Sequence, residues 1–88
     1  MNKLVEYLMK NYPPPYEGYK FVKVEKIVKD TDFTRLEIMK MIKELEKDEI
    51  VFFITGNRTP ENLQERADRL ANIALSWECY QKFKNEVN

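Results

Sequence analysis

The sequence predicts a small α+β domain, mostly helical, that carries one short β-ribbon. Two patterns indicate this: an amphipathic helix that passes directly into an apolar strand between Thr34 and Ile54, and a helical pattern that continues from Pro60 almost to residue 88. The 88 residues are 43% hydrophobic and 34% charged, which is typical of a folded chain with one modest core. We therefore expect a single domain.

The segment from residue 34 to residue 54 carries the strongest pattern. Thr34 and Glu37 have the T-x-x-E spacing of a capping box, which satisfies two backbone N–H groups at a helix start. The apolar residues that follow on one helix face are Ile38, Met41, Ile42 and Leu45. A continuous β-branched and aromatic run covers residues 50–54, and a Thr-Gly-Asn turn signal follows it. The pattern predicts a helix over residues 34–47, then a strand and a turn.

Three shorter elements are predicted before this segment. Residues 2–11 have helical periodicity, and the prolines at 13–15 must end that helix because proline has no backbone N–H. Residues 19–22 have the aromatic and β-branched character of a short strand. Residues 24–28 form a second short helix, which the polar residues 30–32 end.

One long helix is predicted at the C-terminal end. Thr59 suits the N-cap, Pro60 the first helical position and Glu61 the first turn, and the pattern runs to about Glu86. Its apolar face rotates by about 100° between the two halves, at about 100° per residue. The first half presents Leu63, Ala67, Leu70 and Ala74, and the second half presents Ile73, Trp77, Tyr80 and Phe83.

This rotation predicts two roles for the helix. We expect its first half to pack on its own domain, and the four residues of its second half to form a homodimer interface. A curved helix that buries both faces within one chain is the alternative. On this interpretation residues 1–60 form the main unit and residues 61–88 form the packing helix, within one domain overall.

The predicted element order is helix, short strand, helix, helix, strand, turn and long helix. Together with the run from Thr34 to Val51, this order resembles the winged helix-turn-helix domains of bacterial and archaeal transcription regulators. The residues that match the recognition helix and wing of that family are Thr34, Lys40, Leu45-Glu46 and Ile50-Val51. Glu49 stands where the family usually has Gly, and residues 57–59 leave only a short wing.

The resemblance implies a protein that binds double-stranded DNA sequence-specifically, as a small transcriptional regulator or phage-like accessory factor. The residues it places nearest the bases are Arg35, Met39 and Lys40, and those nearest the phosphates are Thr34, Lys43 and Arg58. The alternative is a winged-helix module that binds another protein and not DNA, through an exposed Leu36 and Met39.

The charge distribution leaves both functions open. The formal net charge is zero, although residues 1–29 carry six lysines against three glutamates. Residues 30–50 carry four basic against seven acidic side chains, and residues 51–88 are balanced. The lysines of the predicted recognition helix interleave with glutamates, and such mixtures also commonly form a solvated helix face.

Catalysis, metal binding and membrane insertion are not expected. The chain has no His, so the commonest general base is missing, and the lone Cys79 is expected to be a packed small hydrophobe. A zinc site would lack ligands, and no apolar run reaches the roughly 18–20 residues of a membrane-spanning helix. A single cysteine suits a reducing compartment, so we expect a cytoplasmic protein without a cofactor.

Overall fold

The structure is a computed structural model that describes residues 2–87. Within that range the chain forms five helices and one three-stranded sheet. The elements in chain order are α1 (Lys3–Asn11), β1 (Val22–Lys23), α2 (Val24–Asp30), α3 (Arg35–Lys43), β2 (Ile50–Ile54), α4 (Leu63–Asp68), β3 (Leu70–Leu75) and α5 (Trp77–Val87). The prediction of a mostly helical α+β chain with a small sheet is confirmed.

β3 is the central strand of the sheet, and it pairs antiparallel with β1 on one side and β2 on the other. The inward pairs are Ile50–Leu75, Phe52–Ile73 and Val22–Ile73. The outward pairs are Val51–Ala74, Phe53–Asn72 and Lys23–Asn72. Because successive side chains of a strand point to opposite faces, this register gives the sheet one core face and one outer face.

The core lies between the inner face of the sheet and the helices α1, α2 and α3. Asn2 caps α1 by accepting a hydrogen bond from the Val5 N–H at 3.0 Å, and its amide donates to the Met41 carbonyl oxygen at 2.9 Å, which ties α1 to α3. The large residues with less than 2% exposure include Leu4, Leu8, Ile27, Ile38, Met39, Leu70, Ile73 and Leu75. These residues come from both ends of the chain and belong to one core.

The helix after Thr34 begins as predicted and ends earlier. The Thr34 side chain accepts from the Glu37 N–H, and the Glu37 carboxylate accepts from the Thr34 N–H, which completes the capping box. α3 ends at Lys43, four residues before the predicted end at residue 47. The chain then turns into β2 with Asp48 in the left-handed region at φ 74°, so Asp48 supplies the turn that glycine usually makes.

The predicted long C-terminal helix is wrong. Residues 63–68 form a short helix capped by Asn62, whose side chain accepts from the Glu65 N–H at 2.8 Å, and residues 70–75 form β3. The backbone groups of β2 need a strand partner, and pairing with β3 overrides the helix propensity of its leucines and alanines. A bulge between Phe53 and Ile54 allows Leu70, Ile73 and Leu75 all to face the core.

Ser76 is the single residue between the end of β3 and the start of α5. The buried Ser76 hydroxyl accepts a hydrogen bond from the Cys79 N–H at 3.1 Å, as an N-cap side chain does. The Ser76 N–H donates to the Glu49 carbonyl oxygen at 2.9 Å, so the residue also joins the end of β3 to the start of β2. Serine before Trp77 was therefore a helix-start signal that the predicted continuous helix concealed.

The sheet joins the two predicted ranges on either side of residue 60. β1 and β2 lie within residues 1–60, but they are joined only through β3, which lies beyond that boundary. Met1 and Asn88, the outer ends of the two predicted ranges, lie outside the described residues. Within residues 2–87, none of the helices has the length and apolar character required to cross a membrane.

Candidate nucleic-acid interface

α2 and α3 are consecutive helices joined by the four residues 31–34. The Thr31 hydroxyl donates to the Ile27 carbonyl oxygen at 2.7 Å and accepts from the Phe33 N–H at 3.1 Å, which turns the chain sharply after α2. The capping box at Thr34 then starts α3. Two helices separated by such a short polar turn are the basic unit of helix-turn-helix proteins.

The outer face of α3 carries the two lysines that the sequence predicts to contact DNA. Lys40 and Lys43 are exposed, and so are Glu37 and Glu44 beside them. Leu36 is half-buried, because its side chain packs against the core. The face is therefore charged with both signs, and its apolar area is smaller than the sequence indicates.

Met39 does not belong to this face, so its predicted position beside the bases is wrong. The side chain is only 1% exposed and lies within the core. The sequence pattern predicted a single buried face on α3, whereas the helix packs against both α1 and α4. The buried arc of the helix is consequently wider and extends round to Met39.

Arg35 lies on the same side of α3 as Met39, one turn earlier, and it is partly buried. Its Nη1 donates to the Leu70 carbonyl oxygen at 2.5 Å and lies 3.5 Å from the Ala67 carbonyl oxygen. These contacts hold α3 against the junction of α4 and β3. They take up the guanidinium that the sequence predicts to read a base edge, so the prediction for Arg35 is corrected to a structural contact.

Arg58 takes part in ion pairs within the loop between β2 and β3. Its guanidinium lies 2.5 Å from one carboxylate oxygen of Glu65 and 3.6 Å from the carboxylate of Glu61. The Glu61 N–H donates to Glu65 at 2.7 Å, and this bond lowers the pKa of Glu65 below its ordinary value of 4.5, with Arg58 and Arg69 lowering it further. A phosphate would have to compete with two carboxylates for Arg58.

Arg69 closes this loop from its other end. Its Nε donates to the Thr55 carbonyl oxygen at 2.5 Å and its Nη2 to the Arg58 carbonyl oxygen at 2.7 Å. Gly56 has φ 92°, and a Cβ there would lie 2.9 Å from the Arg69 guanidinium, so both the backbone and the space require glycine. The segment between β2 and β3 is thus a closed loop that contains α4, whereas the sequence predicts only a short turn at residues 57–59.

The residues predicted for a dimer interface occupy different environments. Ile73 is fully buried in the central strand, so its assignment to an interface is wrong. Tyr80 and Phe83 are half-buried and pack against the core of their own chain. Trp77 is half-buried, with Tyr80 at 5.6 Å and Tyr16 at 5.4 Å between ring centroids.

Cys79 is buried near the start of α5, with 2% of its surface exposed. Burial, together with the nearby Glu49 carboxylate, raises the pKa of its thiol to about 11. A buried thiol with a raised pKa has little thiolate at neutral pH, which agrees with the predicted role of a packed small hydrophobe.

A second surface, which the sequence analysis missed, lies on the outer face of the sheet. Tyr19, Phe21 and Phe53 are 49%, 42% and 55% exposed, and their rings form a continuous row. The consecutive pair Phe52-Phe53 could have predicted an exposed aromatic ring on this face. Neighbouring residues of a strand point to opposite faces, so one of these two rings had to point away from the core.

Comparisons of the chain with protein-family models, with curated proteins and with solved structures found no match.

Proposed function

We propose that this protein binds double-stranded DNA through the outer face of α3, as a small winged-helix regulator or accessory factor. The observation that carries the proposal is that α2 and α3 are consecutive helices joined by four residues, with Lys40 and Lys43 of α3 exposed to solvent. In helix-turn-helix proteins the second helix enters the major groove and the first crosses the DNA backbone.

The element order supports the same proposal. A helix, a short strand and two further helices precede β2, as in the order noted in the sequence, and β3 returns beside β2 where the sequence predicted a long helix. On this proposal the loop between β2 and β3 corresponds to the wing. Arg58 is held by an ion pair and Arg69 by hydrogen bonds within the loop. We therefore propose that α3 supplies most of the affinity for DNA and that the loop mainly maintains its own shape.

The contact residues are fewer than the sequence predicts. Lys40 and Lys43 would approach phosphates or base edges, and the Thr34 hydroxyl could donate its hydrogen to a phosphate at the N-terminus of α3. Glu37 and Glu44 flank the lysines and would be repelled by phosphates in a wrong register. This mixture suits a protein whose sequence preference matters more than its non-specific affinity.

A module that binds protein through α3 has less support. That alternative depended on an exposed Leu36 and Met39, whereas Met39 is buried and Leu36 packs against the core. Without them, the outer face of α3 lacks the apolar centre that protein interfaces usually have.

A homodimer would bring two copies of α3 to half-sites about one helical turn apart. Trp77 with Tyr80 and Phe83 remains the surface we propose for it. Because Trp77 is the only tryptophan, dilution should shift its fluorescence emission to longer wavelength if a second chain covers it. Emission that stays constant while sedimentation reports a monomer would reject this interface.

Binding of a randomised duplex library at two salt concentrations tests DNA recognition. The wild-type protein should enrich a defined sequence, two-fold symmetric if the protein is a dimer. The variant Lys40→Glu/Lys43→Glu should lose this enrichment, and the slope of log affinity against log salt should fall by about 2, since each lysine neutralises about one phosphate. Both lysines are exposed, so the fold should be unaffected.

The matched control is Lys3→Glu/Lys10→Glu, on α1. These two lysines are also exposed, and they produce the same charge change on a different surface. Equal loss in both variants would indicate only a general effect of net charge. No retained duplex even at low salt would reject DNA binding altogether.

A further inference from the structure

The row Tyr19–Phe21–Phe53 lies on the outer face of the sheet. All three rings are more than 40% exposed. Their centroids lie 5.8 Å apart for Tyr19 and Phe21 and 5.4 Å apart for Phe21 and Phe53. Single exposed apolar side chains are common, but a connected row of aromatic rings usually marks an interaction surface.

The sheet itself builds this row. Continuing the β1–β3 register by one residue places Phe21 opposite Ala74, and Ala74 is opposite Val51 on the other side. Ala74 points outward yet is fully buried, because larger side chains cover it. A small residue at the centre of the sheet therefore lets rings from two strands that are not neighbours, at Phe21 and Phe53, approach each other.

Cationic and amide groups border the Phe53 end of the row, whereas Tyr19 at its other end lines a pocket with both acidic and basic side chains. Residues 19–23 read Tyr-Lys-Phe-Val-Lys, so each of the two exposed lysines lies within two positions of Phe21, and no acidic residue stands among the five. The register also aligns Lys23, Asn72 and Phe53 across the three strands on the outer face. Neighbouring strands are about 4.8 Å apart, so the backbone positions of Lys23 and Phe53 lie roughly 10 Å apart. Asn72 lies between them on the central strand.

We propose that this face binds single-stranded nucleic acid, with unpaired bases stacked on Phe53, Phe21 and Tyr19 and with Lys20 and Lys23 contacting phosphates. Aromatic rings bordered by cations are the usual means by which proteins hold single strands. The lysines favour a polyanion over a second copy of this neutral chain. In a duplex the faces of the bases are already stacked, so this surface is separate in position and in ligand from the proposed duplex site on α3.

The test measures the fluorescence anisotropy of labelled oligothymidine and oligouridine, each of about 12 nucleotides, with the full chain. Phe53→Leu should weaken binding roughly 5- to 100-fold, because it removes one stacking platform. Phe53→Trp should retain binding, since a larger ring still stacks. Tyr16→Leu is the matched control: Tyr16 is 77% exposed and lies outside the row, so its loss should leave the affinity unchanged.

The charges are tested separately. Lys20→Gln/Lys23→Gln should lower the slope of log affinity against log salt by about 1.4, at about 0.7 for each phosphate contact of a single strand. Lys40→Glu/Lys43→Glu should bind oligothymidine normally, and Phe53→Leu should bind duplex normally. The single-strand proposal and the duplex proposal can therefore fail independently.

Three results would overturn the proposal. The first is no binding of either oligonucleotide at low salt, in a protein whose circular dichroism confirms folding. The second is equal affinity of wild-type and Phe53→Leu for the single strand. The third is self-association that Phe53→Leu abolishes without any effect of oligonucleotide, which would assign the face to a second copy of the chain.

Discussion

Arg35 Nη1 donates to the Leu70 carbonyl oxygen at 2.5 Å, which fastens the first turn of α3 to the start of β3. The same guanidinium lies 3.5 Å from the Ala67 carbonyl oxygen, near the end of α4. A positive charge at the C-terminal end of a helix is favoured by the helix dipole. Arg35, which was predicted to lie near the bases, therefore stabilises the fold. A structural role and a DNA-contacting role for Arg35 predict different effects on stability, which can be measured.

Arg35→Met should lower the free energy of unfolding by about 1.5–3 kcal/mol, because it removes a charge-assisted hydrogen bond while keeping the apolar stem. Lys40→Met, on the exposed side of the same helix, should change it by less than about 0.5 kcal/mol. Urea denaturation of the two variants provides the comparison. Equal stabilities would mean that Arg35 is free and available to a ligand.

Met39→Ala should cost about 2–5 kcal/mol of unfolding free energy, since it leaves a cavity in the core beside α4. Met39→Leu should cost less than about 1.5 kcal/mol, because the volume is nearly conserved. Thermal unfolding and duplex binding are measured on the same samples. If Met39 contacted bases, Met39→Leu would change sequence preference without changing stability, which is the opposite of our expectation.

Cys79 should resist thiol reagents at about pH 8 in the native protein, because burial raises its pKa to about 11 and excludes the reagent. The thiol should react fully in urea. The rate of alkylation, followed by mass spectrometry, should therefore report opening of α5. Rapid native labelling would show that this helix opens readily under native conditions.

Glu65 should make stability depend on pH in the acid range. Its pKa is lower in the folded chain than its ordinary 4.5, so the folded state binds fewer protons than the unfolded state. The corresponding stability is present above the unfolded pKa and is lost as the pH falls through the folded pKa. Glu65→Gln should therefore flatten the dependence of the urea midpoint on pH below about pH 5.

The fold is predictable from sequence where a signal is local. The capping box at Thr34, the proline stop after α1 and the apolar run of β2 each depend on residues within a few positions of one another, and each is confirmed. β3 was not predictable in this way. Its residues suit a helix, and only the unpaired edge of β2, some 20 positions earlier, makes them a strand.

The candidate site follows the same division. Lys40 and Lys43 are exposed as expected, since their side of α3 has no packing partner in the fold. Met39 and Arg35 differ from expectation because α4 packs against α3, whereas the sequence analysis expected residues 63–68 to belong to a much longer helix. The exposure of Phe53 was not predicted for a related reason. A continuous apolar run does not show whether one face or both faces of its strand will be buried.

By itself the sequence determined the α+β class, the first three helices and the second strand, because capping, proline geometry and hydrophobic period act over one or two turns of chain. Only the tertiary structure decided the central strand, the closed loop between β2 and β3 and the set of exposed groups. Those depend on backbone groups finding partners and on helices covering one another across the fold. The surfaces we propose for duplex and single-stranded nucleic acid are what that packing leaves exposed.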